Sequence, residues 1–229
     1  DYTKVCAWGM TMTALSSQVS SSLYPVSDGE PVAETFVHLY AMLITLEVLR
    51  QYLAGQRATV LSNQFLYYAQ GFPKLRVAPD VMVIFDVEPG GRDNYKIWEE
   101  GQTPAVVFEM TSQGTQEQDQ SFKKTLYAQL EVQEYWLFDP KGEWIADKLE
   151  GYRLQGEEYV AIADGISQQL QLRLAVEETL ISFYRLDTGE KLMIPEELAT
   201  ELAAERQRRT ELEAELARYR DQFGDLTPE

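Results

Sequence analysis

Between residues 34 and 53 apolar side chains return at intervals of three and four: Phe36, Leu39, Tyr40, Leu43, Leu46 and Leu49. That spacing follows the turn of an α-helix with one apolar face, and it predicts a helix over about 34–53. The pattern then changes. Residues 58–69 are rich in β-formers and predict a strand. Residues 77–87 predict a second, whose run Val81-Met-Val-Ile-Phe85 is apolar without alternation, as in a strand covered on both faces. A polar connection follows, with Pro89-Gly90-Gly91 read as a turn and Gly101 further on. It leads to a third strand over 105–111, a helix over 117–133 and a fourth strand over 134–138, closed by Asp139-Pro140-Lys-Gly142. Beyond it, 144–162 reads as a hairpin pivoting on Gly156, and 170–174 and 180–186 continue the β character. The alternation of helix and strand predicts an α/β fold.

Both ends of the chain depart from this pattern. Residues 1–30 are rich in serine and end in Pro25-Val-Ser-Asp-Gly-Glu-Pro31, which predicts an N-terminal arm, partly disordered or foreign to the natural chain before Met10 or Met12. Past Pro195, residues 196–223 contain neither glycine nor proline. There Leu198, Leu202, Glu205, Arg209, Leu212, Leu216, Tyr219 and Phe223 alternate spacings of four and three, a heptad seam with two charged members. A self-associating coiled coil, a solvated helix packed on the domain and a partner-docking helix all fit that seam. The chain thus divides into an arm over 1–30, a body over 31–194 and a helical tail over 195–229.

Composition narrows the classes. Hydrophobic residues make up 45% of the 229, enough to fill a core, so disorder is not the expectation. The one cysteine, Cys6, excludes an intramolecular disulfide and a cysteine-based zinc cluster, which points to a reducing compartment and a cytoplasmic location. No apolar run approaches the roughly 18 residues that a membrane helix needs, so no membrane association is expected. The net charge of −17 counts against a stand-alone DNA binder, because phosphate neutralisation supplies most of such a protein's affinity. His38, the one histidine, lies inside the helical pattern and reads as structural. With no serine or cysteine partner signature, hydrolysis by a catalytic triad is poorly supported.

One constellation carries chemistry. Pro79-Asp80 opens the second strand and Glu109 lies near the end of the third. If these strands are antiparallel neighbours, the two carboxylates meet at one sheet edge. Such a pair in a dry setting is costly unless a cation neutralises it, and a hard divalent ion with oxygen ligands does so. The Met110 carbonyl is a candidate third ligand. Mg²⁺, with Mn²⁺ as a substitute, would polarise a phosphodiester and lower the pKa of a bound water. The lysine often found two residues after the glutamate is here Thr111. On the following helix, Phe122, Leu126 and Leu130 define an apolar arc with Lys123 at its flank, beside Asp119 and Tyr127, and Lys124 toward solvent. Lys123 is therefore the candidate cation, with pairing to Asp119 on the helix surface as its plainer reading.

The order Pro79-Asp80, Glu109-Met-Thr-Ser112, Asp119-x3-Lys123-x3-Tyr127 and Glu134-Tyr-Trp-Leu-Phe-Asp-Pro140 resembles the Uma-type putative restriction-endonuclease family of the PD-(D/E)XK nucleases. The resemblance runs from about residue 34 to residue 186 and omits the tail. It implies a restriction-endonuclease-like mixed central sheet flanked by helices, to which the C-terminal hairpins and heptad helix are additions. It also implies metal binding by Asp80 and Glu109, a migrated catalytic lysine in Lys123, and Glu34 as a helix carboxylate aimed at the same site. The expected function is a metal-dependent endonuclease acting on nucleic acid, DNA foremost, as a homodimer. The alternative is a catalytically silent nuclease fold that dimerises or docks partners through its C-terminal helix.

Overall fold

A computed structural model describes residues 23–27, 35–111 and 114–224. Contacts divide the chain into two compact units, one up to Lys191 and one from Leu192. Glu34 and most of the N-terminal arm lie outside the described residues. Within the arm, Tyr24 is buried against Tyr67, and the Tyr67 hydroxyl donates to the Pro25 carbonyl at 2.5 Å.

The first unit is built on a six-stranded mixed sheet. Its strands are β1 (Ala58–Leu61), β4 (Val81–Phe85), β6 (Val106–Met110), β7 (Glu134–Phe138), β8 (Leu149–Gln155) and β9 (Glu158–Ile162), side by side in that order. Only the β6–β7 pair is parallel. β4, β6 and β7 occupy the middle and are buried on both faces, as central strands must be. Two three-stranded sheets flank this one. β2 (Leu66–Tyr67) pairs with β3 (Arg76–Val77) and β5 (Tyr95–Lys96), and β10 (Ile166–Ser167), β11 (Leu172–Glu177) and β12 (Leu180–Arg185) form the other. No helix among the described residues is long and apolar enough to cross a membrane.

Helix α1 (Phe36–Tyr52) starts at Thr35, whose side chain accepts from the His38 N–H, and packs on β1, β4, β6 and β12. Its buried face differs from the expected stripe. His38, Ala41, Met42, Thr45, Val48 and Leu49 face inward, whereas Phe36, Leu39 and Leu43 are exposed. Two polar members of the inward stripe, His38 and Thr45, hide its periodicity in the sequence.

Other expected elements are interrupted for local reasons. The strand expected over 58–69 is two strands in two sheets, because Asn63 turns the chain with a positive φ of 56°. The strand expected over 77–87 is split at Pro79, which offers no N–H to a ladder. The expected polar connection contains a short helix, α2 (Ile97–Glu100), closed by Gly101 at φ 76°. The helix expected over 117–133 is a π-helical turn (Gln118–Lys123) running into a short α-helix, α3 (Lys124–Gln129). Gly151 on β8 lies against the Trp136 indole, where any side chain would collide with the ring.

The second unit holds one long helix, α4 (Pro195–Phe223). Pro195 stands in its first turn, where a missing N–H costs nothing, and the Glu197 carboxylate accepts the Ile194 N–H at 3.0 Å. Each of the eight seam residues is exposed.

Candidate active site

β4 and β6 run antiparallel with Val81 opposite Phe108, so the residue before Val81 and the residue after Phe108 meet at one end of the ladder. Those residues are Asp80 and Glu109. Side chains continue the ladder past its last backbone pair. The Met110 N–H donates to Asp80 Oδ2 at 2.7 Å, and the Asp80 N–H donates to Glu109 Oε2 at 3.4 Å.

The helix that follows β6 closes over this end. Lys123 Nζ donates to Glu109 Oε2 at 2.9 Å and lies 2.8 Å from Asp119 Oδ1. The Tyr127 hydroxyl donates to Glu109 Oε1 at 2.6 Å. Asp119, Lys123 and Tyr127 are spaced by four and form one line aimed at Glu109, while Phe122, expected in the apolar arc, is exposed. The π turn explains the difference: its wider turn shifts the face that an α-helical phase assigns, and such turns recur at functional sites. Lys124, expected toward solvent, has its ammonium 3.3 Å from the centroid of the Tyr152 ring. A third element adds His38 from α1, with Nε2 3.6 Å from Asp80 Oδ2.

Electrostatics follow from burial and this arrangement. Glu109 is fully buried, which pushes its pKa up to about 8. Lys123 pulls it back, Asp80 and Asp119 push it further, and the Tyr127 hydrogen bond again favours the charged form. For Lys123 burial disfavours the ammonium, but Glu109, Asp119 and Asp80 outweigh that loss and raise its pKa. Burial, then Glu109, raises Tyr127 well above the ordinary phenol value, so it remains a proton donor. Three carboxylates thus face one lysine.

No group of three or more metal-ligating side chains among the described residues forms a ready-made cage. The donor set nevertheless suits a small hard cation, which takes one or two carboxylates and retains most of its waters. Asp80 Oδ1 carries no hydrogen bond among the described residues, and the excess negative charge around Glu109 is of the sign such an ion corrects. Thr111, two residues after Glu109, has a buried hydroxyl without a hydrogen-bond partner among the described residues. A broad groove of about 1040 Å³ between the α3 region and the β8–β9 turn touches none of Asp80, Glu109 and Lys123.

The sequence did not point to two contributors, His38 as a neighbour of Asp80 and Tyr127 as a donor to Glu109 Oε1; the pairing of Lys123 with Asp119, expected on the helix surface, is present but buried. The four-residue spacing of Tyr127 from Lys123 was the signal available. For His38 the signal was its spacing to Met42, Thr45 and Leu49 on one helix face.

Comparison with known proteins adds independent findings. The Uma2 family model, described as "Putative restriction endonuclease", matches residues 21–183. Among solved structures, the crystal structure of a putative nuclease belonging to DUF820 from Anabaena variabilis ATCC 29413 is similar. The TM-score is 0.43 at 14% identity, over 62% of this chain and 77% of that one. Comparison with curated proteins gave no match.

Proposed function

The chain belongs to the Uma2 family of restriction-endonuclease-type proteins, and from that premise we propose that it is a divalent-metal-dependent endonuclease that hydrolyses phosphodiester bonds in nucleic acid. The observation that carries the reading is the convergence of Asp80, Glu109 and Lys123 at the open end of the β4–β6 ladder.

In this reading Asp80 and Glu109, with the Met110 carbonyl, hold Mg²⁺ or Mn²⁺. The ion, when bound, supplies Lewis-acid polarisation of the phosphodiester and a more acidic water. Lys123 brings a fixed positive charge against Glu109 Oε2, where it orients the attacking water and offsets charge that develops on the phosphate. Asp119 holds the Lys123 ammonium from the opposite side, which limits its rotation. Tyr127 occupies Glu109 Oε1, so that Oε2 alone faces Lys123 and the Asp80 side. His38 borders Asp80 Oδ2, which Met110 already restrains, and thereby leaves Oδ1 as the oxygen available to a ligand. Glu34 joins the same site in the family reading.

The test is cleavage of duplex DNA, single-stranded DNA and RNA by the full chain with Mg²⁺ or Mn²⁺. Cleavage that needs metal and is lost in both Glu109→Ala and Lys123→Ala is the expected result. A folded preparation that cuts none of these substrates overturns the reading. One observation favours a second reading, a catalytically silent nuclease fold with protein partners: the net charge of −17 opposes nucleic acid. Calorimetric titration with Mn²⁺ separates the two, since a silent site takes up no metal at low millimolar concentration.

A further inference from the structure

Helix α4 spans 29 residues, so it is roughly 44 Å long at about 1.5 Å per residue. Its seam of Leu198, Leu202, Glu205, Arg209, Leu212, Leu216, Tyr219 and Phe223 is exposed along that whole length. Spacings of four and three fix the heptad: Leu198, Glu205, Leu212 and Tyr219 stand at d, and Leu202, Arg209, Leu216 and Phe223 at a. The flanking positions follow without further choice. Glu201, Arg208 and Glu215 stand at g, and Arg206, Glu213 and Arg220 at e.

These six charges discriminate between partners. In a parallel, in-register pair each g residue faces the e residue five positions later on the other helix. That sets Glu201 against Arg206, Arg208 against Glu213 and Glu215 against Arg220, every pair opposite in sign and each present twice. An antiparallel pair that matches Glu205 to Arg209 in the seam instead sets Glu201 against Glu215, Arg208 against Arg208 and Arg206 against Arg206. A fully overlapping antiparallel pair keeps opposite signs at the flanks but seats Glu205 and Arg209 each against a leucine, where a charge is costly to bury. In the parallel pair each meets its own copy, Glu205 with Glu205 and Arg209 with Arg209, and these two layers are adjacent and opposite in sign. Each also keeps an ion pair on its own helix, Glu205 with Arg208 at 3.2 Å and Arg209 with Glu213 at 3.6 Å. Polar layers of this kind weaken a coiled coil but fix its register.

We propose that α4 is a homodimerisation element, and that two copies of this chain pair through it as a parallel, in-register two-stranded coiled coil. The experiment uses the full chain and two charge-swapped variants. One carries Glu201→Arg, Arg208→Glu and Glu215→Arg; the other carries Arg206→Glu, Glu213→Arg and Arg220→Glu. Sedimentation equilibrium should show the natural chain as a dimer. Each variant alone should dimerise about 100-fold more weakly, the order expected when six exposed ion pairs become six like-charge pairs. An equimolar mixture of the two variants should restore the natural affinity, because its cross-pairs are again opposite in sign. Circular dichroism and tryptophan fluorescence verify that each variant keeps its helix and its body. A natural chain that stays monomeric at 100 μM by order of magnitude overturns the proposal. So does a first variant that dimerises as well as the natural chain, since antiparallel pairing matches g with g and survives that swap.

Discussion

Glu109 and Glu134 stand on neighbouring parallel strands, and both are fully buried. Around Glu134 every close polar group among the described residues donates or is positive. Ser167 Oγ and the Trp136 indole N–H donate to Oε2, the Gln168 and Gln169 N–H groups donate to Oε1, and Arg153 lies 3.5 Å away. Glu134 thereby ties β7 to the start of the small β10–β12 sheet, with both carboxylate oxygens engaged. Around Glu109 the donors Lys123, Tyr127 and the Asp80 N–H are joined by two further carboxylates. One glutamate is a closed knot and the other an unbalanced charge. Burial of an acid in a strand therefore does not distinguish structure from chemistry; the sign of its neighbours does.

The widest separation between the two is expected in stability. Glu134→Ala strands the Ser167 hydroxyl and the Trp136, Gln168 and Gln169 N–H groups and leaves the half-buried Arg153 without its carboxylate, and should lower the free energy of unfolding by about 3–5 kcal/mol, read by urea denaturation. An Ala variant as stable as the natural protein would remove the structural half of the contrast. On the other side, Lys123→Met should slow metal-dependent cleavage roughly 100- to 1,000-fold, measured at saturating metal beside a thermal melt that confirms folding. A nearly unchanged rate would leave Lys123 as a structural partner of Asp119.

A subtler test uses pH. The Glu109 carboxyl has its pKa raised from the ordinary 4.5 to about 8, so the folded chain holds a proton that the unfolded chain releases. That contribution to stability is complete below 4.5 and is lost as pH rises through 8. Glu109→Gln mimics the protonated form. Without metal it should raise Tm by about 3–6 °C at pH 9 and leave it unchanged at pH 5, which scanning calorimetry resolves. The same gain at both pH values would mean that the excess charge is not the cause. Least of all, Tyr127→Phe removes one buried hydrogen bond and should cost about 1 kcal/mol, with a loss in cleavage rate smaller than tenfold.

The order and the types of the main elements were legible in the sequence because long apolar runs ended at turn residues. Strand 134–138 begins after Gln133 and ends at Asp139, whose carboxylate accepts N–H groups from Lys141, Gly142, Trp144 and Ile145. The last stretch of the family resemblance, Glu134 to Pro140, is thus tied into the scaffold at both ends. The meeting of Asp80 with Glu109 was legible only on the condition that β4 and β6 pair antiparallel, which strand ends alone do not dictate and which the structure supplies. The phase of the helix after β6 was legible in part: Lys123 shares a side with Asp119 and Tyr127 as expected, whereas the π turn, which leaves no mark in an α-helical wheel, turns Phe122 outward. The inward face of α1 was not legible, because His38 and Thr45 break its apolar pattern.

β4 and β6 read Val-Met-Val-Ile-Phe and Val-Val-Phe-Glu-Met, so neither alternates and hydrophobicity alone does not choose how they align. A slip of one residue would bury nearly as much apolar surface while turning every side chain to the opposite face. The reciprocal bonds, from the Met110 N–H to Asp80 and from the Asp80 N–H to Glu109, form only in the native alignment. Asp80 and Glu109 therefore also favour the native register of these strands, because a slipped pairing forfeits both bonds and leaves two buried carboxylates without them.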